Sequence, residues 1–440
     1  MYPLTPLKLL AHESIKDDPL SRARMERIIG GTRPVDDELV WVDNSNMPEV
    51  VEELKSLWPP DEVPEGFERT HMRPLVFTRV YTDGEFPELN KGLRGWPDGT
   101  DEATVRSILG HFLPIQAFHP YERDLKEDMV CWPTFDFGLM TNCPHGCHYC
   151  GSGKHGKYIT VACNAEEHME KVVRPAMGRY PWQRCFRMIG WGAEMLAFEP
   201  EAGIFDLFTK TLAEQDRYGY FHAASSNVDW IANLERKDRL VGIFSVTTEM
   251  IAEVLEPGSG HAFDRFEAGR KLGEMGVPFR YKFKPTIPVV NWREEYSRAI
   301  ERALTVSEPE SVGFCVIMWN TVDSLLEKID EELLDPVYLQ AARDASEEMA
   351  GVRVGPYPHE VRKEMYQYLF REVRKHSDDV KLYMSTESRA MWDDIGEETG
   401  QDASSFFCGC SSVAPPGGRV QLSQGCPYST YRAPEHIEKG

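Results

Sequence analysis

Phe135-Asp136-Phe137-Gly138-Leu139-Met140-Thr141-Asn142-Cys143-Pro144-His145-Gly146-Cys147-His148-Tyr149-Cys150 joins a β-type run to a loop dense in cysteine. The spacing is CxxxCxxC, so Cys143, Cys147 and Cys150 can fold round one short loop and each reach a different iron of a 4Fe-4S cube. The fourth iron then keeps an open position. An open iron on a reducing cluster takes a chelating small molecule instead of serving as a plain electron relay. Two other readings of the same residues stay open: a zinc site completed by His145 or His148, and unliganded thiols. The turn at Gly146, the aromatic Tyr149 ahead of the last cysteine, and the strand in front of the loop favour iron and sulfur.

Outward from this loop the chain alternates short apolar runs with amphipathic stretches, the pattern of βα units around a parallel sheet. Strands are expected at 135–141, 185–190, 219–224, 241–246, 279–285 and 312–318, with a last one at 380–385. Helices are expected at about 165–177, 202–215, 228–236, 262–275, 293–305 and 358–376. Asn164 followed by Glu167 suggests a capping-box variant at the start of the first. The expected fold is α/β, a partial (βα)6 barrel over 131–320. An N-terminal accessory region, 1–130, carries helical stretches at 47–58 and 101–112 and no sustained strand alternation. Residues 321–395 complete the core, and 396–440 form a Gly-rich, cysteine-containing tail.

Composition sets limits on function. The 440 residues are 41% hydrophobic and 27% charged, ordinary globular usage that excludes disordered and fibrous classes. A formal charge of -22 repels polyanions at long range, which disfavours a general nucleic-acid coat but not one anionic ligand in a locally basic pocket. No apolar run is long enough to cross a membrane, and Met1-Tyr2-Pro3-Leu4 opens no basic-then-apolar leader. A cytoplasmic protein with reduced, metal-competent thiols is the expectation.

Active sites of such sheets gather at the carboxyl ends of strands. There Gly190-Trp191-Gly192-Ala193-Glu194 offers close backbone approach and a carboxylate for an ammonium group. Ser225 and Ser245 sit after the next two strands, where each serves equally well as a helix cap. Phe279-Arg280-Tyr281-Lys282-Phe283-Lys284 alternates aromatic and basic with period two, so Arg280, Lys282 and Lys284 share the face opposite the helices. They pair there either with bound anions or with acidic side chains of the chain itself. In the tail, Cys408-Gly409-Cys410 and Cys426 suit an auxiliary iron-sulfur cluster with a fourth group such as Cys131, a thiol hydrogen donor, a structural metal, or incidental thiols.

The cysteine loop resembles that of the radical S-adenosylmethionine (AdoMet) superfamily, and Gly190 to Glu194 looks like a variant of its Gly-Gly-Glu element. The run Ser245 to Glu256-Pro257-Gly258, then Asp264-Arg265, Gly276-Val277-Pro278, Lys284-Pro285-Thr286, and Glu387-Ser388 with Met391-Trp392, is similar to spore photoproduct lyase and its relatives over about 135–395. The resemblance implies a 4Fe-4S cluster on Cys143, Cys147 and Cys150. It implies AdoMet positioned by Gly190, Gly192, Glu194, Ser225, Ser245 and Arg280, and a flavodoxin- or ferredoxin-type reductant. Cleavage of AdoMet then gives a 5′-deoxyadenosyl radical that abstracts hydrogen from substrate.

Two departures bear on the reaction. The lyase quenches its product radical with a cysteine near the end of strand two, where this chain has Gly190-Trp191-Gly192. Tyr149 matches one relay tyrosine, while Gly151 stands where a second is expected. The expected activity is therefore modification or rearrangement of a nucleotide or nucleic-acid-derived substrate and not simple thymine-dimer repair. Lys282 and Lys284 are the substrate contacts, and Tyr149 or a tail cysteine the catalytic group. Rival readings are a radical AdoMet enzyme acting on a peptide or small metabolite, and a non-catalytic iron-sulfur or zinc protein.

Overall fold

A computed structural model of the chain describes residues 1–43, 45–57, 59–65, 67–82, 108, 116–117, 129–130, 135–151, 158–179, 185–188 and 193–400. The strands in chain order are β1 (Leu9–His12), β2 (Leu39–Val42), β3 (Leu75–Thr78), β4 (Gln116–Ala117), β5 (Met129–Val130), β6 (Phe135–Phe137), β7 (Met140–Thr141) and β8 (Ile159–Ala162). They continue as β9 (Cys185–Met188), β10 (Tyr218–Ala223), β11 (Leu240–Val246), β12 (Phe279–Thr286), β13 (Ser311–Val316), β14 (Lys381–Met384) and β15 (Glu387–Ser388). The principal sheet runs β14-β13-β12-β11-β10-β9-β6-β4. Its neighbours from β6 to β14 are parallel, and β4 closes the edge antiparallel to β6.

The expected strands 185–190, 219–224, 241–246, 279–285, 312–318 and 380–385 correspond to β9 through β14. Helices return the chain between them because their apolar residues recur at helical spacing. Ile204–Glu214 buries Ile204, Phe205, Phe208 and Leu212, on the order of 2 kcal/mol for each such side chain. It starts where the Glu199 carboxylate accepts the amides of Gly203, Ile204 and Phe205 at 3.1, 2.8 and 3.2 Å. Trp292–Val306 likewise buries Trp292, Tyr296, Ile300 and Ala303. On β12, Phe279, Tyr281 and Phe283 enter this helix-side core, with Phe283 stacked on Phe314 at 5.2 Å. Arg280, Lys282 and Lys284 take the other face, as the alternation requires.

Four expectations are corrected. The run 135–141 is not one strand: β6 belongs to the principal sheet, while β7 pairs antiparallel with β8 in a second sheet, β2-β1-β3-β8-β7. The chain changes sheets at Gly138-Leu139, immediately before the cysteine loop. The N-terminal region is not strandless either, since β1, β2 and β3 pair parallel with one another and then with β8. These strands are four residues long, and β1, β3 and β8 are buried along their whole length, so they are mostly apolar and too short to show a sustained alternation. Residues 228–236 form only a 3-10 turn, Asp229–Asn233. The capping box at Asn164 is absent too, because its side-chain amide bonds both backbone groups of Val80, each at 2.8 Å. The helix Met47–Leu57 agrees with expectation. The expected helix 101–112 and the tail from 401 lie outside the described residues, except for Ile108. Among the described residues no helix is long and apolar enough to cross a membrane.

Burial holds the His12 imidazole at about 4, below its ordinary 6.5, against an opposing pull from Asp43. Because the folded value is the lower one, the neutral ring's contribution is complete above pH 6.5 and is lost as pH falls toward 4. We expect about 3 kcal/mol to disappear over that window. Melting curves at pH 7 and 4.5 should show a smaller acid loss in His12→Gln than in the wild type. Identical losses would remove His12 from the acid response.

Candidate active site

The loop 142–150 leaves β7 through two left-handed residues, Asn142 at φ 63 and Gly146 at φ 66. A Cβ at Gly146 would fall 2.1 Å from the Thr70 methyl, so conformation and space both require glycine there. The loop then closes with Cys150 N donating to Cys147 O at 3.1 Å, and His148 N donates to Leu255 O at 2.9 Å. Cys147 is buried, and Cys143 and Cys150 are partly exposed.

His145 is the hinge of the arrangement. It is 1% exposed, its Nδ1 faces the Gly258 carbonyl at 2.8 Å, and its Nε2 faces the Glu194 carboxylate at 2.7 Å. With an acceptor on each nitrogen, both carry protons and the ring is an imidazolium. Burial alone would lower its pKa, but the Glu194 charge outweighs that and holds it above the usual range. Glu194 accepts further from Ala224 N at 2.7 Å, from Ser225 N at 3.1 Å and from the Ser225 hydroxyl. Burial would push its carboxyl up, yet His145 and these donors keep it below the ordinary carboxylate range. Three sequence candidates therefore converge: the cysteine loop, Glu194 beyond β9 and Ser225 beyond β10.

A second buried network backs the loop. Tyr149 donates its hydroxyl to Glu256, which also pairs with Arg265, and Arg265 bonds Ser259 Oγ at 2.7 Å and the Ser245 carbonyl at 3.0 Å. Ser245 thus enters through its backbone. The Gly258 carbonyl gathers Tyr2 OH at 2.7 Å, His71 Nε2 at 3.0 Å and His145 Nδ1. A Cβ on Gly258 would sit 2.7 Å from the His145 carbonyl oxygen. Burial, and then the charge of His145, keep His71 below its ordinary pKa. Buried Arg73 lies near enough for the charges of Cys143, Cys150 and Cys147 to act on its guanidinium. Tyr2, Thr70, His71 and Arg73 all come from the region expected to be accessory, and no local motif marks them.

The remaining candidates separate. Arg280, second residue of β12, donates Nε at 2.9 Å to Glu310, which precedes β13, so it is engaged away from the cysteine loop. Lys282 is buried on the face opposite the helices, and Lys284 lies 5.6 Å from the Trp319 ring. Together with Arg187 on β9 they act by charge on His222 of β10. Burial, then Lys282, Arg187 and Lys284, drive its pKa well below 6.5. The His222 Nε2 is buried with no hydrogen-bond partner among the described residues. Arg187 and His222 were not singled out in the sequence, although strand parity with Cys185 and Tyr220 gives their face. Gly190, Gly192, Cys131, Cys408, Cys410 and Cys426 lie outside the described residues.

The three thiols share one short loop, as a cube with a thiolate at each of three corners needs. Burial pushes the Cys143 and Cys147 thiols up, and neighbouring carboxylates and cysteines add to it, so thiolates there call for cationic metal. Glu194→Ala should leave His145 and two amides without their acceptor, at a cost of about 3 to 5 kcal/mol. It should also lower iron uptake on reconstitution, both measurable by thermal melting and iron assay. Unchanged values would show that the His145–Glu194 pair does not hold the loop.

Comparison with known proteins follows the same lines. The spore photoproduct lyase family profile matches residues 131–381, more than half of the chain. Among solved structures, the chain is similar to a cysteine-to-alanine variant of spore photoproduct lyase with dinucleoside spore photoproduct. The TM-score is 0.57 at 15% identity, over 87% of this chain and 100% of that one. A double variant of the same enzyme with bound AdoMet and dinucleoside spore photoproduct gives a TM-score of 0.57 at 15% identity, over 87% of this chain and 98% of that one. No curated protein matches by sequence. The α/β fold is thus of the radical AdoMet type, and the profile match places the chain in the spore photoproduct lyase family of radical AdoMet enzymes.

Proposed function

We propose that the protein abstracts hydrogen from a nucleotide or nucleic-acid-derived substrate held on the inner face of the principal sheet, and modifies or rearranges it. The observation that carries this is the positive charge of Arg187, Lys282 and Lys284 acting on His222, on a protein of net charge -22. A phosphate-bearing ligand at the strand ends would meet charge of the opposite sign there. The solved lyase structures contain dinucleoside spore photoproduct, which agrees with this substrate class. Gly190-Trp191-Gly192 stands where the lyase has its quenching cysteine, which speaks for a different fate of the substrate radical.

Cys143, Cys147 and Cys150 would hold the cluster, which with AdoMet and an electron from a flavodoxin- or ferredoxin-type donor would supply 5′-deoxyadenosyl radical chemistry. The chain's own part is positional. His145 and Glu194 fix the loop against the ends of β9 and β10, and Glu194, Ser225 and Ser245, with Gly190 and Gly192 carried over from the sequence resemblance, are assigned to AdoMet. Glu256 and Arg265 hold Tyr149 behind the loop. Lys282 and Lys284 take the anionic part of the substrate, while the neutral His222 ring offers an uncharged contact. The tail cysteines are candidates for an auxiliary cluster or a thiol donor, and an iron count of about eight per chain instead of about four would identify the former.

Anaerobically reconstituted protein with dithionite and AdoMet should release 5′-deoxyadenosine, and Cys147→Ala should reduce this to background. Oligonucleotide binding should weaken as salt rises, and Lys284→Ala should lower the slope of log affinity against log salt by about 0.7. Absence of binding at low salt would redirect the assignment to a peptide or small metabolite.

A further inference from the structure

After β13 the chain runs through Met318, Trp319 and Asn320. Met318 and Asn320 are buried at 8% and 6% exposure, but Trp319 between them is 51% exposed. Among the large hydrophobic side chains exposed in the described residues, Trp319 is the aromatic one. Its exposure is built in. Trp319 has φ 62, a left-handed conformation that a bulky residue adopts only when its surroundings impose it.

Those surroundings are specific. The Trp319 amide donates to the Arg353 carbonyl at 2.8 Å, and the Asn320 side chain caps the Met318 carbonyl at 2.7 Å. The indole therefore stands on a clamped loop at the carboxyl end of β13, the same end of the sheet from which the cysteine loop and Glu194 emerge. Two cations lie over the ring, Arg353 at 4.9 Å and Lys284 at 5.6 Å from its centroid, and the 51% exposure of the residue is what remains open for a further partner. Lys284 also acts on His222, which joins the indole to the cationic inner face.

We infer that Trp319 is the stacking platform on which a nucleobase of the substrate lies, with Lys284 and Arg353 beside it for the attached phosphate. An exposed aromatic flanked by cations is how single-stranded nucleic acids are gripped without sequence readout, the π-face taking the base and the charges the backbone. This inference rests on the nucleic-acid-derived substrate proposed above. It adds a residue that neither the cysteine motif nor the basic alternation of β12 indicates.

The test compares a thymidine tetranucleotide with an abasic tetramer of equal charge, bound to the reconstituted protein at fixed low salt. Wild type should prefer the base-bearing probe by about tenfold or more. Trp319→Ala should erase that preference while leaving the salt slope intact, because no charge is removed, and Trp319→Phe should keep most of it. Iron content and melting temperature report folding. Should Trp319→Ala lower them, Trp319→Leu, with bulk but no π-face, takes its place and should also lose the preference. A preference kept in both the Ala and Leu variants, or lost in Phe as fully as in Ala, overturns the stacking role alone. Wild type that binds neither tetramer overturns this inference and the substrate class together, and binding of a peptide instead would do the same.

Discussion

His145 reaches Glu194 at 2.7 Å inside the protein, and the geometry of the whole site depends on that pair. The histidine sits between the first two cluster cysteines, and the carboxylate lies beyond β9 and binds the ends of β10 as well. A single buried ion pair therefore ties the metal-binding loop to two strand ends. Such pairs are poor sources of net stability, since desolvation consumes much of the Coulombic gain. Their value is directional. With both ring nitrogens on acceptors and both carboxylate oxygens on donors, this seating of the loop satisfies every one of these groups.

Much of the principal sheet can be read from the residues. Strands β9 to β14 are apolar runs between amphipathic helices, and β12 declares its two faces by alternating aromatic and basic side chains. What stays hidden is tertiary. An apolar stretch such as 135–141 carries no sign that it changes sheets at Gly138. Four-residue strands such as Leu75–Thr78, covered on both sides, resemble any short hydrophobic run. His145 reads from spacing as a possible zinc ligand, and only its neighbours reveal a charged anchor. Tyr2, Thr70, His71 and Arg73 reach the loop from far upstream, and proximity of that kind leaves no periodicity. Trp319 has an unremarkable sequence context, and its positive φ is imposed by the 353 loop.

Electrostatics divides the molecule by distance. The acidic surface acts beyond a Debye length of about 10 Å only weakly at ordinary ionic strength, while the inner cations act at contact range. Burial, and then the charges of Lys282, Arg187 and Lys284, keep His222 uncharged, so a neutral nitrogen is presented where charge would otherwise accumulate.

The crossing at Gly138 gives the loop a mechanical meaning. Its preceding strand is stitched into the sheet built from the first eighty residues, and its partners Glu194 and Ser225 belong to the other sheet. Metal bound on this loop would sit where the two sheets are fastened together by the His145–Glu194 pair. Its loss would then slacken that fastening as well as remove its redox chemistry.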